Sequence, residues 1–327
     1  MYTRMDNSGV EDICYEQGHV ETVLYAIKQN FDQYFMRFID TTAGKGISIE
    51  AVQGLQKKLG IEVQKKKKNS DLAENYKTII REAIDDFERD QVDYQTIFRR
   101  EWLEDLDEDA DVFKSKTLRN ECPIIRKTLA NRRAKELDKY RASFSQADAD
   151  WLLRIVYNLC VFGDEYQRNY DPDTYEDAET YQDLDLGLLD TDDYTAYGVI
   201  GGGIKTHMLY KVHPSLFPNR SRSAIWALWY LTNKKTFGCH TDSEFLMIDL
   251  SKNIVQQNYF YPYQLFAFYA FEIYKMLRDK ATEYDAYINP DYRYVIVDAF
   301  LEFIAMEHDD EIAFLKSQIR DGGMGYA

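Results

Sequence analysis

The stretch Val20-Glu-Thr-Val-Leu-Tyr-Ala-Ile-Lys-Gln-Asn-Phe-Asp-Gln-Tyr-Phe-Met-Arg-Phe38 decides the fold class. Its apolar residues Val20, Val23, Leu24, Ile27, Phe31, Tyr34, Phe35 and Phe38 recur at intervals of three and four, which lays one stripe down one face of a helix. The spacing predicts a helix from about Gly18 to Ile39. Thr41-Thr-Ala-Gly-Lys-Gly46 ends it, because two glycines lower helix stability and permit a turn.

The same period returns on moving outward. Ser48 to Leu59 reads as a short helix closing at Gly60. Lys65-Lys-Lys-Lys68 separates it from a helix capped by Ser70, with Asp71 and Glu74 near the positive end of its dipole. Its stripe is Leu72, Tyr76, Ile79, Ile80, Ala83, Ile84 and Phe87. Tyr94 to Arg141 carries charge at helical spacing and reads as helical. Ser145-Gln-Ala-Asp148 has capping-box form and predicts a helix to about Phe162. Arg220-Ser-Arg-Ser-Ala-Ile-Trp-Ala-Leu-Trp-Tyr-Leu231 is apolar nearly all round after its first turn, the pattern of a buried helix. Pro262 opens a helix to about Lys280, and a last helix is expected over Asp291 to Arg320, closed by Gly322-Gly323. Periodicity does not decide between a lone strand and a helix for Phe245-Leu-Met-Ile248. No fixed period repeats, which excludes solenoids. The expected fold is all-α, or nearly so: a multi-helix globular array with a buried C-terminal helical core. An N-terminal helical unit over 1–144, with a basic linker near 62–69, precedes a C-terminal helical domain over 145–327.

Forty-five per cent of the residues are apolar, enough to bury a core, so disorder throughout is excluded. No apolar run approaches the roughly 18 residues that cross a bilayer, and the first residues lack a signal-peptide core. Cys14, Cys122, Cys160 and Cys239 are far apart, which argues against a disulfide scaffold and a CxxC metal site. The expectation is a soluble cytoplasmic protein with no membrane partner.

The net charge of −16 is unevenly spread. Residues 164–193 hold twelve acids against one base, Arg168, and form an acidic belt. Residues 201–240 hold six bases and no acid. Charges packed this densely repel one another, so the belt is expected as a solvated loop, short helix or lid, or as a layer partly neutralised by the basic segment. The 26 tyrosines suit either a wet interface or the rim of a helical core.

Gly198-x4-Gly203-Ile204-Lys205-Thr206 has one residue too many between its last glycine and its lysine for a phosphate-binding loop, although amides at three glycines remain free to meet an anion. Arg220 and Arg222 precede a buried helix at its positive end, where a cation calls for an acidic partner or an anionic ligand. Trp226 and Trp229 fit the core of that helix. Residues 49–61 followed by the lysines have the outline of a weak helix-turn-helix. His213, held extended before Pro214, is the candidate general base outside any recognised motif. Glu307-His308-Asp309-Asp310-Glu311 lacks the spacing of a di-iron helix, and Cys239-His240-Thr-Asp242 is half a metal site.

These readings converge on a non-catalytic binding or regulatory protein. Its anion-facing surface is expected at Gly201, Gly202, Gly203, Lys205, Lys211, Arg220 and Arg222, with a nucleic acid or nucleotide as the ligand and no cofactor. A second expectation is a metal-dependent phosphodiester hydrolase or nuclease, in which Asp183 and Asp185 hold Mg2+ or Mn2+ and the basic segment holds phosphate. A third makes the belt the working part, a polyanion-like surface that inhibits a nucleic-acid-binding protein by occupying its basic groove.

Overall fold

The computed structural model describes residues 12–40, 69–132, 134, 137–239, 243–249 and 254–317. The helices proposed at Ser48–Leu59, the lysine run, His240 and the Gly322-Gly323 terminus lie outside them. Among the described residues the chain is built almost wholly of helices, in agreement with the all-α expectation. In chain order these are α1 (Gln17–Asp40), α2 (Asn69–Ile97), α3 (Arg100–Asp105), α4 (Ala110–Val112), α5 (Pro123–Ala130), α6 (Asp138–Gln146), α7 (Ala149–Asn169), α8 (Pro172–Glu176), α9 (Gly202–Val212), α10 (Arg222–Leu231), α11 (Tyr263–Glu283), α12 (Arg293–Glu307) and α13 (Asp309–Ser317). A π-helix, Phe113–Glu121, follows α4.

At the centre lies α10, buried from Ala224 to Leu231 and packed on α12 and α1. Ser221 caps it, its Oγ accepting from Ala224 N at 3.1 Å, which frees the next eight side chains to be apolar. Trp226 and Trp229 are core residues. The stripe of α1 turns inward as its spacing demands, and Asn30 Nδ2 donates to Leu231 O at 2.9 Å, using a carbonyl left open at the end of α10. Helix α2 joins the same core through Tyr76, whose hydroxyl donates to Leu277 O of α11 at 3.0 Å. Many tyrosines behave this way: the ring fills space and the hydroxyl reaches a carbonyl, as Tyr263 does with Pro218 O and Tyr166 with Leu184 O.

Four expectations shift in detail. The cap of α7 is Asp148, whose Oδ1 accepts from Trp151 N at 2.8 Å; Ser145 belongs to α6, and α7 continues past Phe162 to Asn169. Tyr94 to Arg141, expected to be helical, is resolved into a run of short helices. Phe245-Leu-Met-Ile248 contributes β1 (Leu246–Asp249), which pairs antiparallel with β2 (Ile254–Gln257) instead of standing alone. The last long helix breaks between α12 and α13 at His308, whose ring stacks 3.7 Å from Tyr230 and whose Nε2 lies 2.9 Å from Tyr34 Oη.

Candidate functional site

The basic segment turns inward. Lys205, Lys211 and Arg220 were expected to face solvent, and each is buried. Lys205 Nζ donates to Thr195 Oγ1 at 2.8 Å and to Leu189 O. Lys211 Nζ pairs with Asp90 at 2.7 Å, donates to Phe87 O at 2.8 Å and sits 4.3 Å from the centre of the Phe87 ring. Arg220 Nη2 donates to Tyr259 O at 2.6 Å and Asn258 O at 3.1 Å. Its Nε has no hydrogen-bond partner among the described residues, and burial pushes the guanidinium down to about 10.

The glycines owe their place to this arginine. A Cβ on Gly202 would lie 2.0 Å from Arg220 Nη1 and 3.3 Å from Tyr259 O, so a side chain there would occupy the guanidinium's space. Gly201 stands before α9 as its cap residue, with Gly203 in the first turn, and Thr206 Oγ1 ties the loop together by accepting from Arg220 N at 3.2 Å. Of the seven residues proposed for the anion surface, Arg222 is the exposed cation, and its Nε is 3.4 Å from Gln257 Oε1.

His213 is also buried, and burial holds its imidazole near 4. Its Nε2 lies 3.8 Å from Asp164 Oδ1, and the ring packs on Phe217 and over Gly163. The adjoining cavity is about 10 Å3, room for a single water and no substrate. Behind Lys211 lies a buried polar cluster in which Asn219 Nδ2 donates to Asp298 Oδ1 at 3.1 Å; burial, with the charge of Glu302 adding to it, raises Asp298 to about 7.

The acidic belt divides. Three of its acids face inward and explain how it is anchored. Asp190 accepts from Tyr263 N at 2.8 Å and Gln264 N at 3.2 Å, capping α11 within the field of Lys205 and Arg220. Glu176 pairs with Arg293 at 2.9 Å and with Arg278. Asp164 stands beside His213. The other nine, Glu165, Asp171, Asp173, Asp177, Glu179, Asp183, Asp185, Asp192 and Asp193, are exposed. The belt is ordered as the last turns of α7, α8 and short 3-10 turns, with Tyr175, Leu184, Leu186 and Leu189 reaching into the core.

Asp183 and Asp185, the weak metal candidates, have local backbone roles. Asp183 Oδ2 accepts from Thr180 N at 2.7 Å, Glu179 N at 3.0 Å and Thr180 Oγ1 at 2.8 Å. Asp185 closes the following turn with φ of +47°. Among the described residues no three His, Cys, Asp or Glu side chains converge as a metal site would require.

The chain carries a second acidic feature, outside the belt. Glu101 to Asp111 contains seven acids and no base. Its first part, α3, packs on α7, and between them opens a cleft of about 660 Å3 lined by Leu103, Glu104, Asp148, Asp150, Trp151, Leu153, Arg154 and Tyr157. No family model matches the chain, and no curated protein or solved structure is significantly similar to it.

Proposed function

We propose that this chain is a non-catalytic binding protein that receives a basic protein partner on its acidic surface. The observation that carries this reading is the opposite fate of the two charged segments. Lys205, Lys211 and Arg220 spend their hydrogen bonds on their own chain, while nine belt acids remain exposed on ordered turns. Eight of these, Asp192 apart, make no ion pair among the described residues. A fixed array of like charges creates a field that steers an oppositely charged partner and speeds its association. A basic groove that otherwise holds nucleic acid is a surface of the matching sign.

Because Tyr175, Ala178 and Leu184 belong to the core, substitution rather than deletion tests the belt. Binding of a nona-arginine peptide would be followed by calorimetry from low to high salt. The triple substitution Asp173→Asn, Asp177→Asn and Asp185→Asn is expected to weaken binding at low salt and to flatten its salt dependence. An unchanged salt dependence would remove the belt from the interaction.

A further inference from the structure

The cleft between α3 and α7 has features that an exposed acidic surface lacks. Its volume of about 660 Å3 falls within the range of ligand sites, and its lining combines the buried Leu103 and Leu153 with the half-buried aromatic rings of Trp151 and Tyr157. Trp151, Arg154 and Tyr157 are spaced by three along α7 and so share one face. Opposite them, Glu104 Oε1 accepts from Tyr157 Oη and from Arg100 Nε, both at 2.9 Å. These two bonds, the Arg100 one first, hold the Glu104 carboxyl below the ordinary carboxylate range, so it is charged at neutral pH.

Three carboxylates, Glu104, Asp148 and Asp150, stand against two guanidiniums, Arg154 in the lining and Arg100, which pairs with Glu104 and lies 5.9 Å from the centre of the Tyr157 ring, so one carboxylate is in surplus and the Trp151 face is the ring left to a guest. The positive end of the α7 dipole would oppose a cation, but Asp148 already sits on Trp151 N and Asp150 occupies the first turn, which offsets it. Aromatic faces beside carboxylates favour a cationic guest with an apolar stem, since the ring quadrupole attracts the charge while the ring covers the methylenes. The cleft also adjoins the belt. Tyr157 is seven residues, about 10 Å along α7, from Asp164. Burial raises Asp164, and Glu101 of α3 raises it further, so the two acidic features share one field.

We infer that the cleft formed by Leu103, Glu104, Asp150, Trp151 and Tyr157 is a pocket for an arginine or lysine side chain of the basic partner. This rests on the function proposed above and adds an anchor to it: the belt attracts the partner at long range, and the cleft takes one of its cationic side chains. The belt contribution is screened by salt, whereas the partly desolvated contact on the rings persists.

The test uses the full chain and nona-arginine, with three variants checked for an unchanged thermal midpoint. Trp151→Ala is expected to weaken binding by about three- to thirty-fold at both low and high salt, without changing the salt dependence. Should Trp151→Ala disturb the fold, the pair Glu104→Gln and Asp150→Asn, both at exposed positions, serves in its place, with a loss of about threefold. The belt triple substitution supplies the contrast. If the cleft variants bind like the parent while the belt variant weakens, the cleft assignment is overturned and the function stands. Weakening in the cleft variants alone would overturn the belt's role and leave the cleft as the site. A parent chain that does not bind the peptide overturns both.

Discussion

The basic segment, six bases in forty residues, and the acidic belt, twelve acids in thirty, carry opposite charge, and the protein disposes of them in opposite ways. Lysine and arginine have long apolar stems, so Lys205, Lys211 and Arg220 can lie within the core and still bring their charged ends to carbonyls or to one carboxylate. Aspartate is short. Its carboxylate serves nearby backbone amides and hydroxyls at the surface, as Asp171 and Asp183 do, and the residue stays exposed. A run of bases in a sequence therefore does not by itself indicate a basic surface.

The comparison breaks most visibly at Arg220. Arg220→Ala removes the guanidinium that donates to Asn258 O and Tyr259 O and takes a cation from the field of Asp190, so a loss of roughly 3–5 kcal/mol in urea unfolding is expected. A change below about 1 kcal/mol would mean that the guanidinium is exposed in solution.

The next effect is one of pH. Burial raises Asp298 in the folded state from an unfolded value near 3.8 to about 7, so the folded chain holds the proton more tightly. Its contribution is fully present below the unfolded value and is lost as pH rises toward and through about 7, by up to ~4 kcal/mol. Asp298→Asn is expected to flatten that fall in a series of thermal midpoints between pH 4 and 8. An unaltered profile would assign the fall to other groups.

Gly202→Ala is expected to cost about 1–3 kcal/mol by pushing against the Arg220 guanidinium, measured by the same urea titration. At the opposite end of the scale, the belt substitutions Asp173→Asn and Asp177→Asn should leave stability within about 0.5 kcal/mol while weakening peptide binding. A large loss of stability would show that those carboxylates hold the fold rather than a partner.

The helical fold was legible because α1, α2 and α10 each bury a continuous stripe or body that the 3.6-residue period exposes in sequence. Ends were less legible. Ser145 and Asp148 both carry capping chemistry, and α6 running into the same stretch decided for Asp148. The break at His308 depends on Tyr34 and Tyr230, which are distant in sequence. The inward turn of the cations was foreshadowed at Arg220, where a charge at a positive helix end called for a partner. That partner proved to be carbonyls from the β2–α11 connection, which no local pattern announces. The cleft requires α3 and α7 to meet, so only the acidic run at 101–111, which supplies Glu104, could have been found beforehand.

The central claim, cations inward and acids outward, is tested most directly by chemical labelling of the native chain read by mass spectrometry. An amine-reactive ester should label the exposed Lys235 readily and reach Lys205 and Lys211 only after unfolding, while carbodiimide coupling modifies Asp173, Asp177 and Asp185 in the native state. Labelling of Lys205 and Lys211 at the rate of Lys235, with the belt carboxylates protected, would contradict the account.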